Sequence, residues 1–252
     1  MKHKKMIVLV LLILFVSIGV FSIYTGTYEE KFNYVALGDS LASGRNPYGV
    51  DDYGYTDYIK DYLNSKGKLN NYDNYAVSGY LVSNIIDDIN YNRVLEKEDA
   101  VGLKRVLRES DLVTISVGAN DLLEGINLSN FATLFSDRDM TINKVDNIIE
   151  NVENLLVLVK QYAKGDILVI GYYNPFPGLT KYKSQIDDVV MYADNRYNNL
   201  CNELDIHYVK ISDVIGNNSE FLPNPLDIHP NKQGYAAISK KIIDIIDQEV
   251  LK

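Results

Sequence analysis

Four residues of this 252-residue chain could together carry out acyl chemistry: Ser40, Gly79, Asn120 and His229. Ser40 lies in NYVALGDSLASG, residues 33–44, where a short apolar run stops at Gly38 and an acid and a hydroxyl follow at once. Glycine, aspartate and serine are ordinary turn residues, so this stretch alone also reads as a plain strand-to-loop turn. As a nucleophile, a serine hydroxyl is weak until a base takes its proton. The base follows by elimination among three histidines. His3 belongs to a basic leader, and His207 lies inside the strand-like IHYVKI. His229 sits in a loop before the last helix, with Pro230 fixing the backbone after it. The tetrahedral intermediate of acyl transfer carries an oxyanion that needs fixed donors. The N–H groups of Ser40 and Gly79 and the amide of Asn120 are the candidates, and a helix beginning at Ser40 would add its positive end.

These residues need elements that bring them to one place. Past about Lys31 the chain has no repeat, linker or low-complexity stretch, so residues 31–252 read as one domain. Apolar runs predict strands in NYVAL, in NYDNYAVSG, over 112–117, in DILVIGYYNP and in IHYVKI. Between them lie helical segments at 53–67, 82–90, 99–109, 141–165, ending at Gly165, and 186–204, with a closing helix from Gly234. Strands alternating with helices imply an α/β fold with a central parallel sheet of about five strands, covered on both faces. Near-continuous apolar strands fit such burial. Ligands of an open parallel sheet bind beyond the carboxyl ends of its strands. Ser40, Gly79, Asn120 and His229 all follow strands and so fall at that rim.

Bulk properties narrow the class. The apolar share is 46% and the charged share 23%, enough for one sizeable core. A net charge of −9 disfavours a nucleic-acid partner. The single cysteine, Cys201, excludes an internal disulfide, and it shares a helical face with Val190, Ala193 and Tyr197, which assigns it to packing. At the N-terminus, MKHKK precedes an uncharged apolar run over residues 6–24. Residues 1–30 therefore read as a signal anchor, with a cleaved signal peptide as the alternative. Lys2, Lys4 and Lys5 would stay in the cytoplasm and the domain would face outward, on the membrane or secreted.

Four blocks resemble the SGNH, or GDSL, hydrolases: ALGDSLASG, AVSG, VGAND and DIHPNKQGY. They come in family order and span residues 34–235. The resemblance implies a three-layer flavodoxin-like sandwich, no metal and no organic cofactor. It implies Ser40 as nucleophile, His229 as base, and Ser40, Gly79 and Asn120 as oxyanion donors. The family usually places an acid three residues before the histidine; here that position is Leu226, and Asp227 stands two before. Residues two apart in extended chain face the same way, so Asp227 is the expected orienting acid; a backbone carbonyl is the alternative. Asp39 and Asp121 are expected to fix loops by capping amides. The expected activity is hydrolysis of a small-molecule, lipid or glycan ester or thioester. Acyl transfer or deacetylation at a cell-surface sugar or lipid, and a non-catalytic binding domain, are the alternatives. The stretch 172–185, rich in tyrosine and proline after a strand, reads either as a pocket border or as a surface loop.

Overall fold

The computed structural model describes residues 31–125, 137–216 and 218–251. The expected leader, residues 1–30, lies outside them. Five parallel strands form one sheet: β1 (Phe32–Gly38), β2 (Leu69–Asn74), β3 (Leu112–Ser116), β4 (Asp166–Ile170) and β5 (His207–Val209), in the order β2-β1-β3-β4-β5. The helices are α1 (Ser40–Ser43), α2 (Tyr55–Ser65), α3 (Val82–Asn90), α4 (Leu103–Arg108), α5 (Ala119–Leu123), α6 (Arg138–Tyr162), α7 (Lys183–Glu203) and α8 (Lys232–Ile245). Among the described residues no helix is long and apolar enough to cross a membrane.

Side chains alternate between the two faces of a strand. Val35 and Leu37 of β1, Val113 and Ile115 of β3, and Ile167 and Val169 of β4 pack on one face. Against them lie the apolar stripes of α3, α4, α6 and α7. Tyr34, Ala36, Leu112, Leu168 and Ile170 point the other way, onto Ile59 and Leu63 of α2 and Ile238 and Ile242 of α8. This is the expected three-layer sandwich. Cys201 is buried in the first of these cores.

Three differences from the sequence reading bear on the site. β2 ends at Asn74 because the Asn74 side chain accepts the Ala76 N–H at 2.9 Å and turns the chain. The long helix α6 ends at Tyr162, before Gly165; Gly165 instead lets the chain pass Asp111, whose carbonyl oxygen lies 2.1 Å from where a Cβ would stand. The short α5, directly after Gly118, has no apolar periodicity and was not expected.

Strand order 2-1-3-4-5 reverses direction between β1 and β3, and ligands bind at that switch point. β1 delivers Ser40 there and β3 delivers Asn120.

Candidate active site

Ser40 is placed by its neighbours on both sides. Gly38 has φ +144°, and a Cβ there would lie 2.4 Å from the Ser116 carbonyl oxygen. Only glycine lets the ends of β1 and β3 close this tightly. Asp39 then caps α1: its Oδ1 accepts the Leu41 N–H at 3.0 Å and the Ser116 hydroxyl at 3.1 Å. Asp39 is buried, and desolvation raises its pKa from 3.8 to about 6, against the lowering effect of those hydrogen bonds. α1 is a single four-residue turn. It aligns too few peptides for the helix charge expected at Ser40, so the contribution there reduces to its own N–H.

His229 reaches the serine from the far end of the chain. Its Nε2 lies 2.7 Å from Ser40 Oγ, and its Nδ1 lies 2.6 Å from Asp227 Oδ1. A carboxylate oxygen can only accept, so the proton belongs on Nδ1 and Nε2 accepts from the serine hydroxyl. The same Asp227 oxygen accepts the His229 backbone N–H at 2.8 Å. The loop is built for this: the Asn224 side chain accepts the Leu226 N–H at 3.1 Å and its carbonyl accepts the Asp227 N–H at 3.1 Å. Leu226, where the family pattern would put the acid, is 91% exposed and points away. The Tyr173 hydroxyl donates to the Ile228 carbonyl at 2.6 Å and pins the loop to the segment after β4. His229 is 9% exposed, and desolvation pulls its pKa below 6.5 even though Asp227 pushes it up. The imidazole is thus neutral at neutral pH, the form a base needs.

The expected donors lie beside this line. Backbone bonds continue past β2, from Tyr75 N–H to Ala36 and from Val77 N–H to the Gly38 carbonyl at 3.1 Å, which holds the Gly79 turn beside α1. Ser78 Oγ lies 2.9 Å from Ser43 Oγ and donates to Asp51 at 2.8 Å. Gly79 itself has φ +90° and nothing within 4 Å of a Cβ position, so conformation alone favours glycine there. Among the described residues neither the Ser40 nor the Gly79 N–H has a hydrogen-bond partner. Asn120 donates one amide hydrogen to the Tyr80 carbonyl at 2.9 Å, leaving its second hydrogen for a ligand. Asp121 accepts the Val82 N–H at 3.2 Å and so joins α5 to the start of α3.

Two residues of this arrangement were not read from the sequence: Tyr80 and Ser116. Ser116 left a signal. Thr114 and Ser116 are two apart in an otherwise apolar strand, so they share a face and had to meet polar partners. Those partners are Tyr34, whose hydroxyl oxygen is 2.9 Å from Thr114 Oγ1, and Asp39. A cavity opens beside Ser40 and His229, and Tyr172, Tyr173, Pro175 and Phe176 line it. The 172–185 stretch is thus a pocket border at its first residues.

A 2-1-3-4-5 parallel sandwich with a serine and a histidine in contact at its switch point has the architecture of the SGNH hydrolases. The chain belongs to the GDSL-like Lipase/Acylhydrolase family, which matches residues 36–237, and by that membership is an esterase/lipase acting on ester bonds. Among similar proteins is YpmR of Bacillus subtilis (strain 168), an uncharacterized protein 27% identical over 88% of this chain and 84% of its own length. Solved structures share the fold. A lipase from a goat rumen metagenome superposes with TM-score 0.66 at 20% identity, over 84% of this chain and 95% of its own. The acetylxylan esterase Axe2 of Geobacillus stearothermophilus gives 0.58 at 17% identity, over 88% and 97%.

Proposed function

We propose that this protein hydrolyses carboxylic esters or thioesters through an acyl-enzyme on Ser40, with His229 as base and Asp227 orienting it. The observation that carries this reading is the continuous line from Asp227 Oδ1 to His229 Nδ1 at 2.6 Å and from His229 Nε2 to Ser40 Oγ at 2.7 Å. His229 takes the Ser40 proton as Oγ bonds to the acyl carbon. The oxyanion is held by the Ser40 and Gly79 N–H groups and the Asn120 amide. His229 then returns the proton to the leaving oxygen or sulfur as its bond to carbon breaks. Water, deprotonated by the same imidazole, attacks the acyl-enzyme, and Ser40 regains its proton on release of the acid.

The test is burst release from an activated short-chain ester, with Ser40→Ala and His229→Ala beside the wild type. Both variants should fold and should lose the burst and the turnover. Near-normal turnover in either would overturn the mechanism.

The location is part of the same proposal: the basic start and the apolar run over residues 6–24 support an anchor with the catalytic domain outside. In its native host the protein should then fractionate with membranes and keep residues 1–24. A mature N-terminus near Thr25 or Lys31 would mean a cleaved signal and a secreted enzyme.

A further inference from the structure

The cavity beside Ser40 continues inward between α6 and α7, well past the room that the reacting atoms need. Leu122 of α5, Val145 and Ile148 of α6, Val189 and Ala193 of α7, and Phe176 wall it. Its volume is about 110 Å³, on the scale where one water needs roughly 10–15 Å³. No lysine, arginine, glutamate, asparagine or glutamine is among its described lining residues. Among the described lining residues, the polar side-chain groups apart from Asp39, Ser40, Ser116 and His229 are tyrosine hydroxyls that already have partners. Those of Tyr172 and Tyr197 are 2.7 Å apart and lie 3.1 and 3.0 Å from the Val117 carbonyl oxygen, and that of Tyr173 donates to Ile228. Such walls offer nothing to a sugar, a phosphate or a second carboxylate. They match a hydrocarbon chain.

We infer that this cavity takes the acyl chain of the substrate, and that the enzyme prefers acyl groups of eight carbons or more over acetyl. The inference rests on the Ser40–His229 reading above. The tetrahedral carbon has four substituents. Ser40 Oγ is one. The oxyanion faces Gly79 and Asn120. The leaving atom must lie at His229 Nε2 to receive its proton. The fourth, the acyl carbon, takes the remaining direction, and the apolar cavity is a space contiguous with Ser40, among the described residues, that can receive it. An acetyl methyl would leave most of that space as water held against isoleucine, valine and phenylalanine, so each added methylene gains transfer energy until the cavity is full.

The experiment has two arms on the full-length protein. In the first, kcat/KM is measured on p-nitrophenyl esters from acetate to dodecanoate, for wild type and Val189→Phe. The wild-type values should rise by up to about fourfold per methylene, and Val189→Phe should cut the decanoate-to-acetate ratio tenfold or more. Acetate hydrolysed as well as octanoate would overturn the inference, and so would a ratio that Val189→Phe leaves unmoved. In the second arm, calorimetry compares decanoate and acetate binding to Ser40→Ala, which needs no turnover and no folded Val189 variant. Decanoate should bind at least a hundredfold tighter; equal binding overturns the pocket. Selective decanoate binding with no esterase activity in the wild type would keep the pocket and defeat the catalytic reading. Ser40-dependent acetate hydrolysis with no decanoate preference would do the reverse.

Discussion

One oxygen of Asp227 accepts two hydrogen bonds from His229, one from the backbone N–H at 2.8 Å and one from Nδ1 at 2.6 Å. The first sets the loop and the second sets the ring. An acid two residues before the histidine can make both because a short bend folds its side chain back over the next peptide. An acid at Leu226 would point into solvent.

That double acceptance makes Asp227→Asn informative. The amide oxygen can still accept the backbone N–H, so the loop should persist. It no longer stabilises the imidazolium that forms during reaction. Turnover on a short-chain ester should fall at least tenfold, about 1.4 kcal/mol of transition-state stabilisation, and by less than in Ser40→Ala. A smaller loss would reduce the machinery to Ser40 and His229.

Asn120 is held by its bond to the Tyr80 carbonyl, with one amide hydrogen to spare. Asn120→Ala should lower kcat by about 10² to 10³ and change KM less, since an oxyanion donor acts mainly in the transition state. Steady-state kinetics check this. Raised KM with kcat retained would make Asn120 a substrate contact instead.

The histidine's pH dependence has a definite sign. Burial holds the His229 pKa below 6.5. The base works while neutral, so kcat/KM should be level near neutrality and fall on the acid side, with its inflection below 6.5. Stability shifts the same way: the unfolded chain takes up the proton first, so this group weakens the fold as pH drops through 6.5. An acid inflection at or above 6.5 in the rate profile would contradict the burial argument.

Much of this site was legible because scarcity and order did the sorting. Three histidines left one in a loop after the last strand, and strands written as apolar runs fixed which residues share the rim. Their place just after strands offered Gly79 and Asn120 as oxyanion donors, and the resemblance implied the same roles. What stayed hidden depends on closure in three dimensions. The Tyr80 carbonyl and the Ser78–Ser43–Asp51 contacts involve backbone and small polar groups that leave no spacing pattern. The cavity is assembled from α5, α6, α7 and the segment after β4, each of which reads on its own as ordinary core. The end of β2 is not legible because an asparagine side chain, not the apolar pattern, ends the strand.

Asp39 carries the last prediction. It was expected to fix a loop, and it does so from a buried position where its charge is costly: desolvation raises its pKa from 3.8 to about 6. A folded-state pKa above the unfolded one stabilises the protein below 3.8, and that contribution is lost as pH rises through about 6. A shift of this size corresponds to on the order of 3 kcal/mol between the two ends of the window. Asp39→Asn keeps an oxygen for the Leu41 N–H and the Ser116 hydroxyl but never carries the charge. Its stability relative to wild type should therefore improve as pH rises from 4 to 8, by up to several degrees of melting temperature for a domain of this size. Thermal melts of both proteins across that range measure it. A difference that does not change with pH would mean that the hydrogen bonds from Leu41 and Ser116 fully offset the burial of the Asp39 carboxylate.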